Sequence, residues 1–228
     1  MECLWKHPFS AILAGPSGCG KTYFVKHFLQ CLPQMVNVKF NNILVCYGEW
    51  QSAYNDFPGF VQFREGMPNI DQFVPNSGPH LIIIDDQMRE CDQRVTDLFT
   101  KGCHHRDISL FFITQNLFHQ GKGNRDISLN SHYIVCFKNP RDRAQINYLS
   151  RQVYPENPNF IKDAYYNATA EPHGYLLFDL KQNTPEEVRF RSRIFPDDDI
   201  NYVYIPTKKA SIITSRLFCH HGSKSETR

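Results

Sequence analysis

Apolar residues in this chain gather into short, nearly uninterrupted runs separated by polar stretches rich in glycine and proline. Phe9 to Ala14, Asn42 to Tyr47, His80 to Asp85, Ser109 to Thr114 and Tyr133 to Lys138 all have the length of a strand and fall short of a globular helix. Their apolar positions are consecutive, not alternating. That is how a strand reads when helices cover both of its faces, so a parallel sheet is expected.

Between the runs the period changes. Phe24, Val25, Phe28, Leu29 and Leu32 recur at helical spacing until Pro33, and Val95, Leu98 and Phe99 mark a second helix. Asn139-Pro140-Arg141-Asp142 offers an N-cap, a proline at the first helical position and an acid in the first turn, which predicts a helix through about Val153. A further helix is expected near Phe160 to Ala168, with strands at Gly174 to Leu180 and Val188 to Ile194. Gly48 to Gly78 is read mostly as loop with short pieces of structure, because Pro58, Gly59, Gly66, Pro68 and Pro75 punctuate it. Strands alternating with helices in this order predict a three-layered α/β fold with a mainly parallel central sheet.

Composition sets bounds on this picture. The 228 residues are 41% hydrophobic and 21% charged, which excludes disorder over most of the chain and suits one domain, assigned to residues 1–207. Residues 208–228 read as a basic, flexible tail. No apolar run approaches bilayer length and the first residues do not form a secretory signal, so the chain is expected to work inside a cell, away from membranes. Eight cysteines without a CxxC pair then suggest reduced thiols. Cys103-His104-His105 and Cys219-His220-His221 are weak zinc candidates, since adjacent side chains do not easily share one tetrahedral ion. Net charge is +2, yet Lys and Arg outnumber Asp and Glu by 8 to 3 over residues 101–151 and by 5 to 1 over 201–228. Those two stretches are where a nucleic-acid contact would come from.

Gly15-Pro16-Ser17-Gly18-Cys19-Gly20-Lys21-Thr22 satisfies G-x-x-x-x-G-K-[ST] between a predicted strand and a predicted helix. In such a loop backbone N–H groups wrap phosphates at a helix N-terminus, Lys21 contacts the β- and γ-phosphates, and the Thr22 hydroxyl ligates Mg2+. Asp85 closes a strand of four aliphatics, the position of an acid that holds the metal. Asp86 beside it is a candidate base for an attacking water, or else a helix cap. Gln115 ends another buried strand at the edge where open parallel sheets bind ligands, and could orient that water. ATP and Mg2+ are the expected cofactors.

His7-Pro8-Phe9 leading into the glycine-rich loop, Tyr47-Gly48-Glu49, Ile84-Asp85-Asp86-Gln87-Met88, His104 to Ser109, Thr114-Gln115-Asn116-Leu117-Phe118 and Ile127 through Asp142 together resemble the genome-packaging ATPases of Maverick/Polinton and adintovirus-like elements. Those are similar to poxvirus-type packaging ATPases within the FtsK/HerA superfamily. The resemblance spans roughly residues 7 to 155. It implies an ASCE/RecA-like P-loop fold and a homo-oligomeric ring that hydrolyses ATP to drive double-stranded DNA, independent of sequence, into a preformed capsid through a capsid or portal partner. The implied setting is an infected cell, in nucleus or viral factory, or the virion. It also implies an arginine reaching a neighbour's γ-phosphate, for which Arg141, Arg143 and Arg125 are the candidates. Most of the superfamily carries Asp-Glu where this chain has Asp85-Asp86, and Glu49 is the substitute base. A P-loop nucleoside or nucleotide kinase, or a nucleotide-binding scaffold without hydrolysis, are the rival readings.

Overall fold

The computed structural model describes residues 3–68, 78–85, 95, 99, 107–118 and 127–206. Nine strands form one sheet: β1 (Ser10–Ala14), β2 (Asn42–Tyr47), β3 (Gln62–Glu65), β4 (His80–Asp85), β5 (Ile108–Thr114), β6 (Tyr133–Phe137), β7 (Tyr175–Asp179), β8 (Phe190–Ser192) and β9 (Tyr202–Tyr204). Their order is β3-β2-β4-β5-β1-β6-β7-β8-β9. The six strands from β3 to β6 are parallel, and β7, β8 and β9 extend the sheet in antiparallel fashion. The expected mainly parallel α/β sheet is present.

Helices cover both faces. Alternation along the strands sends Ala11, Leu13, Ile83, Phe111 and Val135 to one core with Phe24, Val25, Phe28 and Leu29 of α1 (Lys21–Gln30). Ile12, Ile82, Leu110, Phe112 and Ile134 face the other core, with Ile146 and Leu149 of α3 (Ala144–Val153) and Phe160, Ile161 and Ala164 of α4 (Pro158–Ala168). A short α2 (Leu32–Met35) follows α1 directly, because Pro33 tolerates a first helical turn but not a helix interior. Trp5 is buried in the first core, stacked 4.2 Å from Tyr133 and edge-on to Phe9 and Phe28.

The short pieces of structure in Gly48 to Gly78 are a 3-10 turn (Ser52–Asp56) and β3, which pairs with β2 from Leu44–Gln62 to Tyr47–Glu65. Two local expectations are corrected. The helix expected from Pro140 begins at Ala144, because Asn139 Oδ1 accepts from the N–H groups of Arg141 and Asp142 and holds those residues in a turn. Only part of Val188 to Ile194 is strand: Val188 ends a 3-10 turn and β8 keeps Phe190–Ser192. Strand β9 was missed in the sequence, although Tyr202-Val203-Tyr204-Ile205 is rich in residues that favour strands. The helix expected around Leu98 lies largely outside the described residues, although Val95 and Phe99 are buried in the second core. The 208–228 tail also lies outside them. Among the described residues no helix is long and apolar enough to cross a membrane.

Candidate functional site

Strand register brings the motifs to one edge. Tyr47, Asp85, Ile113, Leu13 and Val135 lie in one row across β2, β4, β5, β1 and β6. Glu49, Gln115 and Gly15 each stand two residues beyond that row, so residues far apart in sequence emerge together at the C-terminal edge of the sheet. Strand β5 sits between β1 and β4, which puts Asp85 two strands from the glycine-rich loop, or about 10 Å at ordinary strand spacing.

The loop from Gly15 to Gly20 has the backbone that its sequence demands. Gly18 and Gly20 have φ of 75° and 105°, in the left-handed region that glycine reaches without strain. A Cβ on Gly15 would stand 2.7 Å from Cys19 Sγ and 2.8 Å from Phe137 Cβ, so the loop can close over β6 only with glycine there. Gly20 is the N-cap of α1, with no side-chain cap and no acid in the first turn. A helix start of that kind presents backbone N–H groups and the positive end of its dipole to an anion. Lys21 Nζ donates to the carbonyls of Gly15 (2.6 Å) and Pro16 (2.9 Å), which places the ammonium inside the loop. Burial pushes the Cys19 thiol above its ordinary pKa despite the nearby Lys21, so this cysteine is a packing element.

Asp85 is buried, and the Tyr54 hydroxyl donates to its Oδ2 at 2.7 Å. Tyr54 belongs to the 3-10 turn after β2 and packs among Tyr47, Trp50, Phe57 and Phe63. Lys26 of α1 and Asp56 form an ion pair that ties the same turn to α1. Sequence reasoning missed Tyr54. The signal available was the density of aromatics between Tyr47 and Phe63 in a stretch otherwise read as loop.

The remaining candidates divide. Gln115 is exposed at the end of β5, and Glu49 is exposed just beyond β2. Arg141 and Arg143 are exposed in the connection from β6 to α3, on the far side of β1 from Asp85. Lys138 donates to the Ala170 carbonyl at 2.8 Å. Asp86, Arg125 and both Cys-His-His triplets lie outside the described residues. Thr22 opens α1 and Asp85 ends β4; their oxygen donors suit Mg2+, which prefers carboxylate, hydroxyl and water ligands.

Two further side chains hold the connection from β6 to α3. Gln145 Oε1 accepts from Leu117 N–H at 3.1 Å while its Nε2 donates to Asp142 Oδ2 at 2.9 Å. Tyr165, its pKa pushed up to about 12 by burial, stays protonated and donates to the Phe137 carbonyl while accepting from Asn139 N–H. Gln145 thereby joins Leu117, two residues past Gln115, to the connection that bears Arg141 and Arg143.

Beside Gly20 and Tyr23 a cleft of about 570 Å³ opens, walled by the segments after α4 and after β8. His173 and Arg193 line it, and both hold positive φ (61° and 50°), an uncommon state for residues with a Cβ. Neither had been singled out in the sequence.

Loop, sheet order and acid position define the P-loop NTPase fold. No family model and no curated protein matches the sequence. Among solved structures, the genome packaging NTPase B204 from Sulfolobus turreted icosahedral virus 2, in complex with ATP-gammaS, is similar, with a TM-score of 0.55. The match covers 78% of this chain and 94% of that one at 16% identity, a likeness of fold.

Proposed function

We propose that this chain is a magnesium-dependent ATPase of a viral genome-packaging motor, acting as a homo-oligomeric ring that drives double-stranded DNA into a preformed capsid. The observation that carries the reading is the assembly, at one sheet edge, of a glycine-built anion cradle, a buried acid oriented by Tyr54, and the Gln115 and Glu49 side chains. The fold likeness to a protein that is itself a genome packaging NTPase supports the same reading.

Backbone N–H groups from Gly18 to Thr22 take the phosphates, and the Lys21 ammonium exchanges its two carbonyl partners for phosphate oxygens. Thr22 and Asp85 would hold Mg2+, which supplies neutralisation of charge on the β- and γ-phosphates. The nucleoside occupies the cleft beside Tyr23. Gln115 orients the attacking water, and Asp86 or Glu49 takes its proton. Arg141, Arg143 or Arg125 serves the γ-phosphate of a neighbouring subunit, where a cation supplied in trans adds about 10³–10⁵ to the rate. The basic stretch 101–151 grips DNA phosphates without reading bases. The setting is the infected cell, with a capsid or portal partner.

Steady-state ATPase assays with Mg2+, with and without long double-stranded DNA and across protein concentration, test this. Expected are stimulation by DNA, a rate per subunit that rises with concentration, and loss of turnover in Lys21→Ala. Turnover that required a nucleoside acceptor would replace the motor by a kinase. Tight nucleotide binding without turnover, in the presence of DNA and at high concentration, would leave a scaffold.

A further inference from the structure

A second cluster of donor atoms lies away from the phosphate cradle, at the far end of α1. His27 lies in the last turn of α1 and Cys31, four residues on, is its C-cap. Asp197 comes from the turn after β8, which brackets itself: Asp198 Oδ2 accepts from Phe195 N–H, and Asp198 N–H donates to the Phe195 carbonyl. Ligand atoms of His27, Cys31 and Asp197 all lie within 4.8 Å of one another. The His27 ring is held in place from two sides. It stacks on Phe195 at 4.0 Å and 23°, and its Nε2 lies 2.9 Å from Asp197 Oδ1 and 3.0 Å from Oδ2.

We propose that His27, Cys31 and Asp197 form a binding site for a borderline-soft divalent cation of the Zn2+ class, with water in the fourth position. One nitrogen, one sulfur and one carboxylate oxygen are the ligand types that Zn2+ takes in tetrahedral sites, with bonds near 2.0–2.3 Å. Mg2+ and Ca2+, which require oxygen donors, are disfavoured by the same set. The site is accessible, since His27 and Cys31 are half-buried and Asp197 is exposed. Burial first, then Asp197 and Asp198, push the Cys31 thiol above its ordinary pKa. His27 and Asp197 also line the cleft beside Gly20. A bound ion would therefore tie α1, which begins at Lys21, to the β8–β9 connection.

The test uses the full chain, reduced, freed of metal and carrying Cys103→Ser and Cys219→Ser to silence the two Cys-His-His triplets. Titration with Co2+ should give one equivalent of a tetrahedral complex with a thiolate-to-metal charge-transfer band, displaced by Zn2+ and unaffected by excess Mg2+. Cys31→Ser should abolish that band. His27→Gln and Asp197→Asn should each weaken Co2+ binding by about tenfold or more, a loss at least as large as outer-shell changes cause. Asp197→Asn changes an exposed side chain and keeps a hydrogen-bond acceptor for His27, so it separates lost ligation from misfolding. No charge-transfer band in the parent chain, or a band of unchanged affinity in Cys31→Ser or Asp197→Asn, would overturn the proposal.

Discussion

Tyr54→Phe removes a single oxygen from a site where almost no water can replace it. Tyr54 is 2% exposed and Asp85 4%, and the bond between them is 2.7 Å long. The phenyl ring keeps its packing against Tyr47, Trp50 and Phe63, so no cavity of consequence is added. What is lost is a hydrogen bond to a buried carboxylate, worth about 1.5–3 kcal/mol. At about 2–4 °C per kcal/mol for a domain of this size, Tm should fall by about 3–12 °C. The second consequence is functional. On the proposed reading Tyr54 acts through Asp85 as a positioning residue, and losing such a partner should weaken Mg2+ affinity by about 10–100-fold. Urea and thermal unfolding followed by circular dichroism give the first quantity. Calorimetric titration of Mg2+ into the protein with a non-hydrolysable ATP analogue gives the second. A double-mutant cycle with Asp85→Asn should return a coupling of about 0.5–3 kcal/mol, because the two residues share one bond. If Tyr54→Phe left both Tm and Mg2+ dependence unchanged, Asp85 would be oriented by other neighbours and the assignment of Tyr54 would fail.

Gly15→Ala should abolish binding of a fluorescent ATP analogue and cost about 1–3 kcal/mol in urea melts, because its methyl group would enter the space of Cys19 Sγ and the Phe137 side chain. Asp179→Ala breaks the buried ion pair of Asp179 with Arg191, 2.8 Å apart, and strands a guanidinium at 5% exposure; a loss of about 3–5 kcal/mol by chemical denaturation is expected. Burial lowers the pKa of His7 and of His80 from 6.5 against the pull of Asp107. The unfolded chain therefore binds more protons than the folded one just below pH 6.5. Their contribution to stability is complete above that pH and is lost as pH falls through the lowered folded values. Tm should decline from pH 7 to 5, and the decline should be shallower in His7→Gln and His80→Gln; an identical slope in both variants would refute the assignment.

The glycine-rich loop, the acid ending β4 and the glutamine ending β5 were legible in the sequence because each rests on a local pattern. A buried parallel strand must be apolar at consecutive positions, and its polar residue can stand only where the strand leaves the core. The turn at Asn139 to Asp142 was misread for a related reason. Its N-cap and proline signals are local, but Asn139 spends its side-chain oxygen on Arg141 and Asp142, which delays the helix to Ala144.

The chain's own pattern thus determined the α/β class, the cradle and most of the strands that carry chemistry. Which strand lies beside which is not written locally. The insertion of β5 between β1 and β4 sets how far Asp85 stands from Thr22, and it follows from packing two faces of the sheet at once. The bonds from Tyr54 to Asp85 and from Gln145 to Leu117 join residues 31 and 28 positions apart. The cleft of His173 and Arg193 and the cluster of His27, Cys31 and Asp197 join α1 to segments some 150 residues later in the chain. A periodic pattern records the burial of each residue but not its neighbour across the core, so those partnerships exist only once the sheet has closed.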